Sequence, residues 1–128
     1  MRLRNKRIYV ADDDENVLDA VATILEDEGA EVIGGSDGKR IFTSVSLGDP
    51  DCIIMDLYMP NADGFVTIEA VKAFLPVNCP IIVLTGHATE ENISRAKALG
   101  AAACMAKPLK ADELIDTIQR HMVPSVLV

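Results

Sequence analysis

"IYVADDDENVLDAVATILEDEG", residues 8–29, changes its period once, and that change decides the fold. Ile8 to Ala11 is a short apolar run of the kind a central strand carries. From Glu15 the apolar residues Val17, Leu18, Val21, Ile24 and Leu25 recur at helical spacing, and Glu26, Asp27 and Glu28 lead to a stop at Gly29. Strand is followed by helix, and the alternation continues. "AEVIGG" (30–35) reads as a second strand, and "GKRIFTSVSLG" (38–48) as a second helix through Ile41, Phe42 and Val45. "CIIMD" (52–56) is a third strand, continuously apolar as parallel strands buried on both faces are. "LYMPNADG" (57–64) is a loop marked by Pro60 and Gly64, and a third helix from Phe65 to Leu75 turns Phe65, Ile68 and Val71 to one side. "PIIVLT" (80–85) is a fourth strand, Glu90 to Leu99 a polar helix closed by Gly100, "AACMAKP" (102–108) an alanine-rich fifth strand, and Asp112 to Met122 a last helix through Leu114, Ile115 and Ile118. Five alternations predict the α/β class: a doubly wound, five-stranded parallel sheet with helices on both faces.

With 128 residues, the chain is one domain's worth of protein, 1–128, able to bury roughly two thirds of its unfolded surface. The basic start, residues 1–6 with Arg7, is expected to be a solvated leader, and residues 123–128, "VPSVLV", a short tail. No apolar run approaches the roughly 20 residues that cross a bilayer, so a soluble chain without membrane partners is expected. Cys52, Cys79 and Cys104 are odd in number and lack C-x-x-C spacing. They suit small buried positions in a reducing cytoplasm. A formal net charge of −8 argues against direct nucleic-acid binding, which depends on clustered Lys and Arg.

Right-handed crossovers point every strand's carboxyl end at one edge of the sheet, where ligands of open α/β sheets bind. The residues arriving there are Asp12 and Asp13, Asp56, Thr85 and Lys107. Two carboxylates about 4 Å apart repel by roughly 4 kcal/mol at an effective dielectric of 20, so such a gathering needs solvent or a cation. Three converging carboxylates make a hard oxygen site of the kind Mg²⁺ accepts. A phosphoryl group, about −1.5 to −2 at neutral pH, could be shared by Mg²⁺, Lys107 and the Thr85 hydroxyl, with Asp56 as the nucleophile that forms an aspartyl phosphate. Blander roles compete. Acids after a strand usually cap the next helix, the role expected of Asp14; a Thr at a strand end is often a turn former, and a Lys before Pro a solvated charge.

"VADDDEN" (10–16), "PDCIIMDLYMPNADGF" (50–65), "PIIVLTGHAT" (80–89) and "GAAACMAKPL" (100–109), in that order, resemble the signature regions of response regulator receiver domains, the phospho-accepting modules of two-component signalling. The resemblance runs from about Arg7 to Met122 and implies a flavodoxin-like sheet of order 2-1-3-4-5. It further implies that Asp56 accepts a phosphoryl group from a partner's phosphohistidine, on a sensor histidine kinase or a histidine phosphotransfer protein. Asp13 and Asp56 would bind Mg²⁺ directly, Asp12 through water, and the Tyr58 backbone carbonyl would complete the protein ligands. Thr85 and Lys107 would hold phosphoryl oxygens, and Lys107-Pro108 would be cis. Tyr58 and His87 match variable positions that tune loss of the phosphoryl group. The family's usual switch aromatic is replaced by Cys104, so the signal is expected to leave through the Gly86–Glu90 loop, to a downstream protein reader or an output domain outside this chain. No turnover enzyme is expected: a phosphohydrolase would place a second acid where Tyr58 stands. A receiver-like scaffold that acts without phosphorylation is the remaining alternative.

Overall fold

The computed structural model describes residues 1–36, 48–60, 62–74 and 78–122. Residues 38–47 of the expected second helix and the tail 123–128 lie outside them. In chain order the elements are β1 (Arg7–Ala11), α1 (Glu15–Asp27), β2 (Glu31–Gly35), β3 (Cys52–Met55), β4 (Tyr58–Met59), β5 (Ala62–Asp63), α2 (Gly64–Phe74), β6 (Ile81–Thr85), α3 (Glu90–Leu99), β7 (Ala103–Ala106) and α4 (Ala111–His121). Five strands pair in parallel in the order β2-β1-β3-β6-β7, the 2-1-3-4-5 arrangement once the small hairpin is set aside.

Alternation along the strands divides the core in two. Tyr9, Ala11, Ile53, Met55, Ile81 and Val83 face one side, where Phe65, Ile68 and Val71 of α2 and Ala96 of α3 cover them. Ile8, Val10, Cys52, Ile54, Ile82 and Leu84 face the other, under Val21 and Leu25 of α1 and Leu114, Ile115 and Ile118 of α4. Because both faces are covered, β3 and β6 are buried at every residue, which explains their uninterrupted apolar sequence.

Helix ends are set by local chemistry. Asp14 caps α1, its carboxylate accepting from the Asn16 N–H at 2.9 Å and the Val17 N–H at 3.4 Å. Beyond Glu28 the chain turns at Gly29 with φ +92°, a conformation that glycine adopts without steric cost. Thr89 caps α3 through the Asn92 N–H at 3.1 Å, and Gly100 closes it at φ +123°.

Three expectations need correction. The loop 57–64 contains a two-residue antiparallel hairpin, in which Tyr58 pairs with Asp63 and Met59 with Ala62; runs this short carry no readable period. The first residues are not simply a solvated leader. Leu3 is fully buried in the α1–α4 side of the core, its N–H donates to the Glu28 carbonyl at 2.8 Å, and Arg2 pairs with the Glu28 carboxylate at 3.0 Å. One leucine between charges gives no pattern, yet its burial is worth about 1.5–3 kcal/mol. Of the three free thiols, Cys52 and Cys79 are buried as expected, but Cys104 is half-exposed because β7 is an edge strand. Among the described residues, no helix is long and apolar enough to cross a membrane.

Candidate functional site

Register builds the site. The ladder continues one residue past β1 and β3: the Asp56 N–H donates to the Ala11 carbonyl at 3.1 Å, and the Asp12 N–H to the Gly35 carbonyl at 3.2 Å. The Lys107 N–H donates to the Thr85 carbonyl at 3.0 Å, which seats β7's last residues beside the end of β6. Parallel strands thus deliver all four strand ends to one edge, and the Lys107-Pro108 peptide there is cis.

Asp12 and Asp56 are only 3% and 5% exposed, whereas Asp13 is open to solvent. One carboxylate oxygen from each of these three residues lies within 4.8 Å of the others. The Lys107 ammonium reaches into the same place, 2.8 Å from Asp12 Oδ2 and 2.8 Å from Asp56 Oδ2. The remaining oxygens are also engaged: Asp12 Oδ1 accepts from the Asp14 N–H at 2.9 Å, and Asp56 Oδ1 from the Tyr58 N–H at 3.3 Å. Thr85 is fully buried, its Oγ1 accepting from the His87 N–H at 3.1 Å.

The charges do not balance. Burial pushes the Asp12 carboxyl above its usual range, the Lys107 ammonium and the Asp14 N–H oppose this, and the neighbouring Asp56 charge adds to it. Lys107 loses hydration, which alone would lower its pKa, but hydrogen bonds and charge from Asp12 and Asp56 outweigh that and raise it. The Asp12 shift is upward chiefly because burial disfavours its charged form, and the Lys107 shift is upward because Asp12 and Asp56 favour its ammonium.

Apart from Cys104, the site residues anticipated from sequence lie at or beside this edge. The structure joins Asp12, Asp13, Asp56 and Lys107 directly, ties Thr85 to Lys107 through the backbone, and ties Tyr58 to Asp56 through its N–H. Cys104 lies one strand away, level with Val83 in the register, and burial raises its thiol pKa.

Tyr58 and His87, singled out in the sequence, belong to a rim whose other members went unread there. The Tyr58 ring meets the His87 ring at 4.6 Å between centroids and 66°, and lies edge-on to Phe65 at 6.5 Å. Arg95 stacks its guanidinium 4.0 Å over the Phe65 ring. Tyr58, Phe65 and Arg95, with Asp13 and Met59, border an open cavity of about 410 Å³ beside the acid cluster. Asn92, the third residue of α3, donates to the Tyr58 hydroxyl at 3.2 Å and to the His87 carbonyl at 2.8 Å. Neither Asn92 nor Arg95 belongs to a motif, and contacts 34 residues apart leave no trace in local spacing.

Comparison with known proteins reaches the same place from another side. A family model described as "Response regulator receiver domain" matches residues 8–119. The transcriptional regulatory protein PdtaR of Mycobacterium tuberculosis is 33% identical over 116 residues, covering 89% of this chain but 55% of its own length. The sensory/regulatory protein RpfC of Xanthomonas campestris is 30% identical, and the chain covers 16% of it. The chain therefore spans about half of one curated relative and a small part of the other. Among solved structures, the chemotaxis response regulator CheY4 of Vibrio cholerae superposes with a TM-score of 0.82 at 30% identity, over 91% of this chain and 98% of that one. A match that begins in β1 and ends in α4 takes in every strand of the sheet, and the chain belongs to the response regulator receiver domains, signalling modules of two-component systems.

Proposed function

We propose that this receiver accepts a phosphoryl group on Asp56, and that the acceptance switches a protein-interaction surface. The observation carrying this reading is the double contact of Lys107, 2.8 Å from both Asp12 and Asp56, at the mouth of an otherwise acidic pocket. An ammonium there holds the Asp56 carboxylate in place and stands ready for a phosphoryl oxygen.

The donor set fits Mg²⁺. It consists of hard oxygens, and three carboxylates against one ammonium leave a surplus that a dication would cancel. Asp13 and Asp56 would hold the ion with the Tyr58 carbonyl, and Asp12 would act through water. Bound there, Mg²⁺ supplies positive charge against the entering phosphoryl oxygens. In the transfer, an Asp56 carboxylate oxygen attacks phosphorus, the phosphorus–nitrogen bond of a partner's phosphohistidine breaks, and its electron pair stays on the imidazole. Lys107 and the Thr85 hydroxyl donate to the phosphoryl oxygens as charge builds on them. The partner would be a sensor histidine kinase or a histidine phosphotransfer protein, and the reader a second protein or an output domain. The three free thiols suit the reducing cytoplasm as compartment. The reading excludes steady hydrolase turnover, because Tyr58 offers no acid where a second carboxylate would be needed.

Acetyl phosphate with Mg²⁺ tests this cheaply. Intact mass should show one added phosphoryl group, absent in Asp56→Asn and without Mg²⁺. An unmodified wild-type chain, or modification persisting in Asp56→Asn, overturns the reading.

A further inference from the structure

Two segments that follow site residues, the start of β4 after Asp56 and the loop after Thr85, are both fastened to the same residue of α3. Tyr58 lies two residues past Asp56 and donates its N–H to Asp56 Oδ1 at 3.3 Å. His87 lies two residues past Thr85 and donates its N–H to Thr85 Oγ1 at 3.1 Å. Their rings touch at 4.6 Å. The Asn92 amide spans both, reaching the Tyr58 hydroxyl at 3.2 Å and the His87 carbonyl at 2.8 Å, while Asn92 Oδ1 lies 3.5 Å from the same hydroxyl. Asn92 is itself held, because its N–H is taken by the capping Thr89. A Glu or Gln at this third helical position commonly folds back onto its own cap. Asn92 instead reaches across to Tyr58 of β4 and to the His87 loop.

From this arrangement we infer that Asn92 is a positioning residue of the phosphoryl site: it clasps Tyr58 and His87 over the acid cluster, limits water's approach to phosphorylated Asp56, and couples that site to α3. The inference rests on Asp56 being the phosphoryl acceptor. Each backbone N–H that locates a ring is bonded to an atom that phosphorylation engages, Asp56 Oδ1 on one side and Thr85 Oγ1 on the other. A phosphoryl group therefore pulls on both halves of the clasp at once, and Asn92 passes the displacement to the first turn of α3. Cys104, small and on the edge strand, is not needed for this route.

The test uses the whole chain, phosphorylated by acetyl phosphate with Mg²⁺ and then followed by intact mass after the reagent is removed. Tyr58→Phe should shorten the phosphoryl half-life roughly two- to tenfold, the reach of one hydrogen bond, and Asn92→Ala, which also loses the His87 contact, by at least as much. The double variant should decay no faster than Asn92→Ala, since Tyr58→Phe removes a contact that Asn92→Ala has already lost. Asn92→Asp keeps an acceptor for the tyrosine hydroxyl but cannot donate to His87, and should fall between wild type and Asn92→Ala. A second readout needs no phosphorylation: the Asn92 side-chain amide resonances should shift in Tyr58→Phe, with the melting curve unchanged. Additive effects, unchanged half-lives, or Asn92 amide signals indifferent to Tyr58→Phe overturn the clasp. A wild-type chain that never takes up the phosphoryl group fails the parent reading instead.

Discussion

Asp12 shows how a site residue can work against the fold that holds it. It is nearly buried, and its carboxyl pKa is raised chiefly by burial, with Asp56 adding to the shift and Lys107 opposing it. A carboxyl with a folded pKa above its unfolded value binds its proton more tightly in the folded state. Its stabilising contribution is then full below the unfolded pKa and is lost as pH rises through the folded one. Asp12→Asn should therefore raise the melting temperature at pH 7 by about 2–5 °C, and the advantage should vanish in melts below about pH 3. A destabilised variant at neutral pH would show that Lys107 more than repays the burial of Asp12. Lys107 should behave in the opposite sense. Lys107→Met leaves two carboxylates facing each other without the ammonium between them and should cost about 1–3 kcal/mol in urea unfolding at pH 7, less in acid. Its own raised pKa places the loss of that contribution at alkaline pH, above the ordinary lysine range.

At the scale of elements, two short features do more than their length suggests. Asp14 is separated from the metal-facing acids by its role as helix cap, so Asp14→Ala should cost about 1 kcal/mol of stability while leaving Mg²⁺ affinity intact. Gly64 begins α2 with its N–H on the Leu57 carbonyl at 2.9 Å, and any Cβ there would collide with the Leu57 backbone. Gly64→Ala should cost about 1–3 kcal/mol and lower the urea midpoint accordingly, since backbone has to shift; an unchanged midpoint would mean that the hairpin gives way freely. What was legible in sequence follows the same division. Strands buried on both faces announce themselves by composition, and parallel pairing then fixes where Asp12, Asp13, Asp56, Thr85 and Lys107 must arrive. The β4–β5 hairpin did not announce itself because two-residue strands carry no period, and Leu3 and the Asn92 clasp did not because they depend on contacts between residues far apart in the chain. Periodicity reports faces, not single contacts.

For the whole molecule, the surplus of negative charge at one edge of the sheet predicts a ligand-dependent stability. Magnesium at 100 times its dissociation constant should stabilise the fold by about 2.7 kcal/mol, read as a rise in melting temperature. Asp13→Ala should remove most of that rise, and Asp14→Ala should keep it. Equal rises in both variants would place the ion elsewhere. The seat of Leu3 has a consequence of another kind. It is shared with Leu114, Ile115 and Ile118, while Arg2 lies 3.7 Å from Asp112 and 3.6 Å from Asp116, and Gln119 donates to the Arg2 carbonyl at 3.4 Å. On the ribosome, Leu3 must wait for its full seat until α4, made long after it, has emerged. Domains generally fold as units during synthesis, and the seat of Leu3 makes the closing of this one depend on α4.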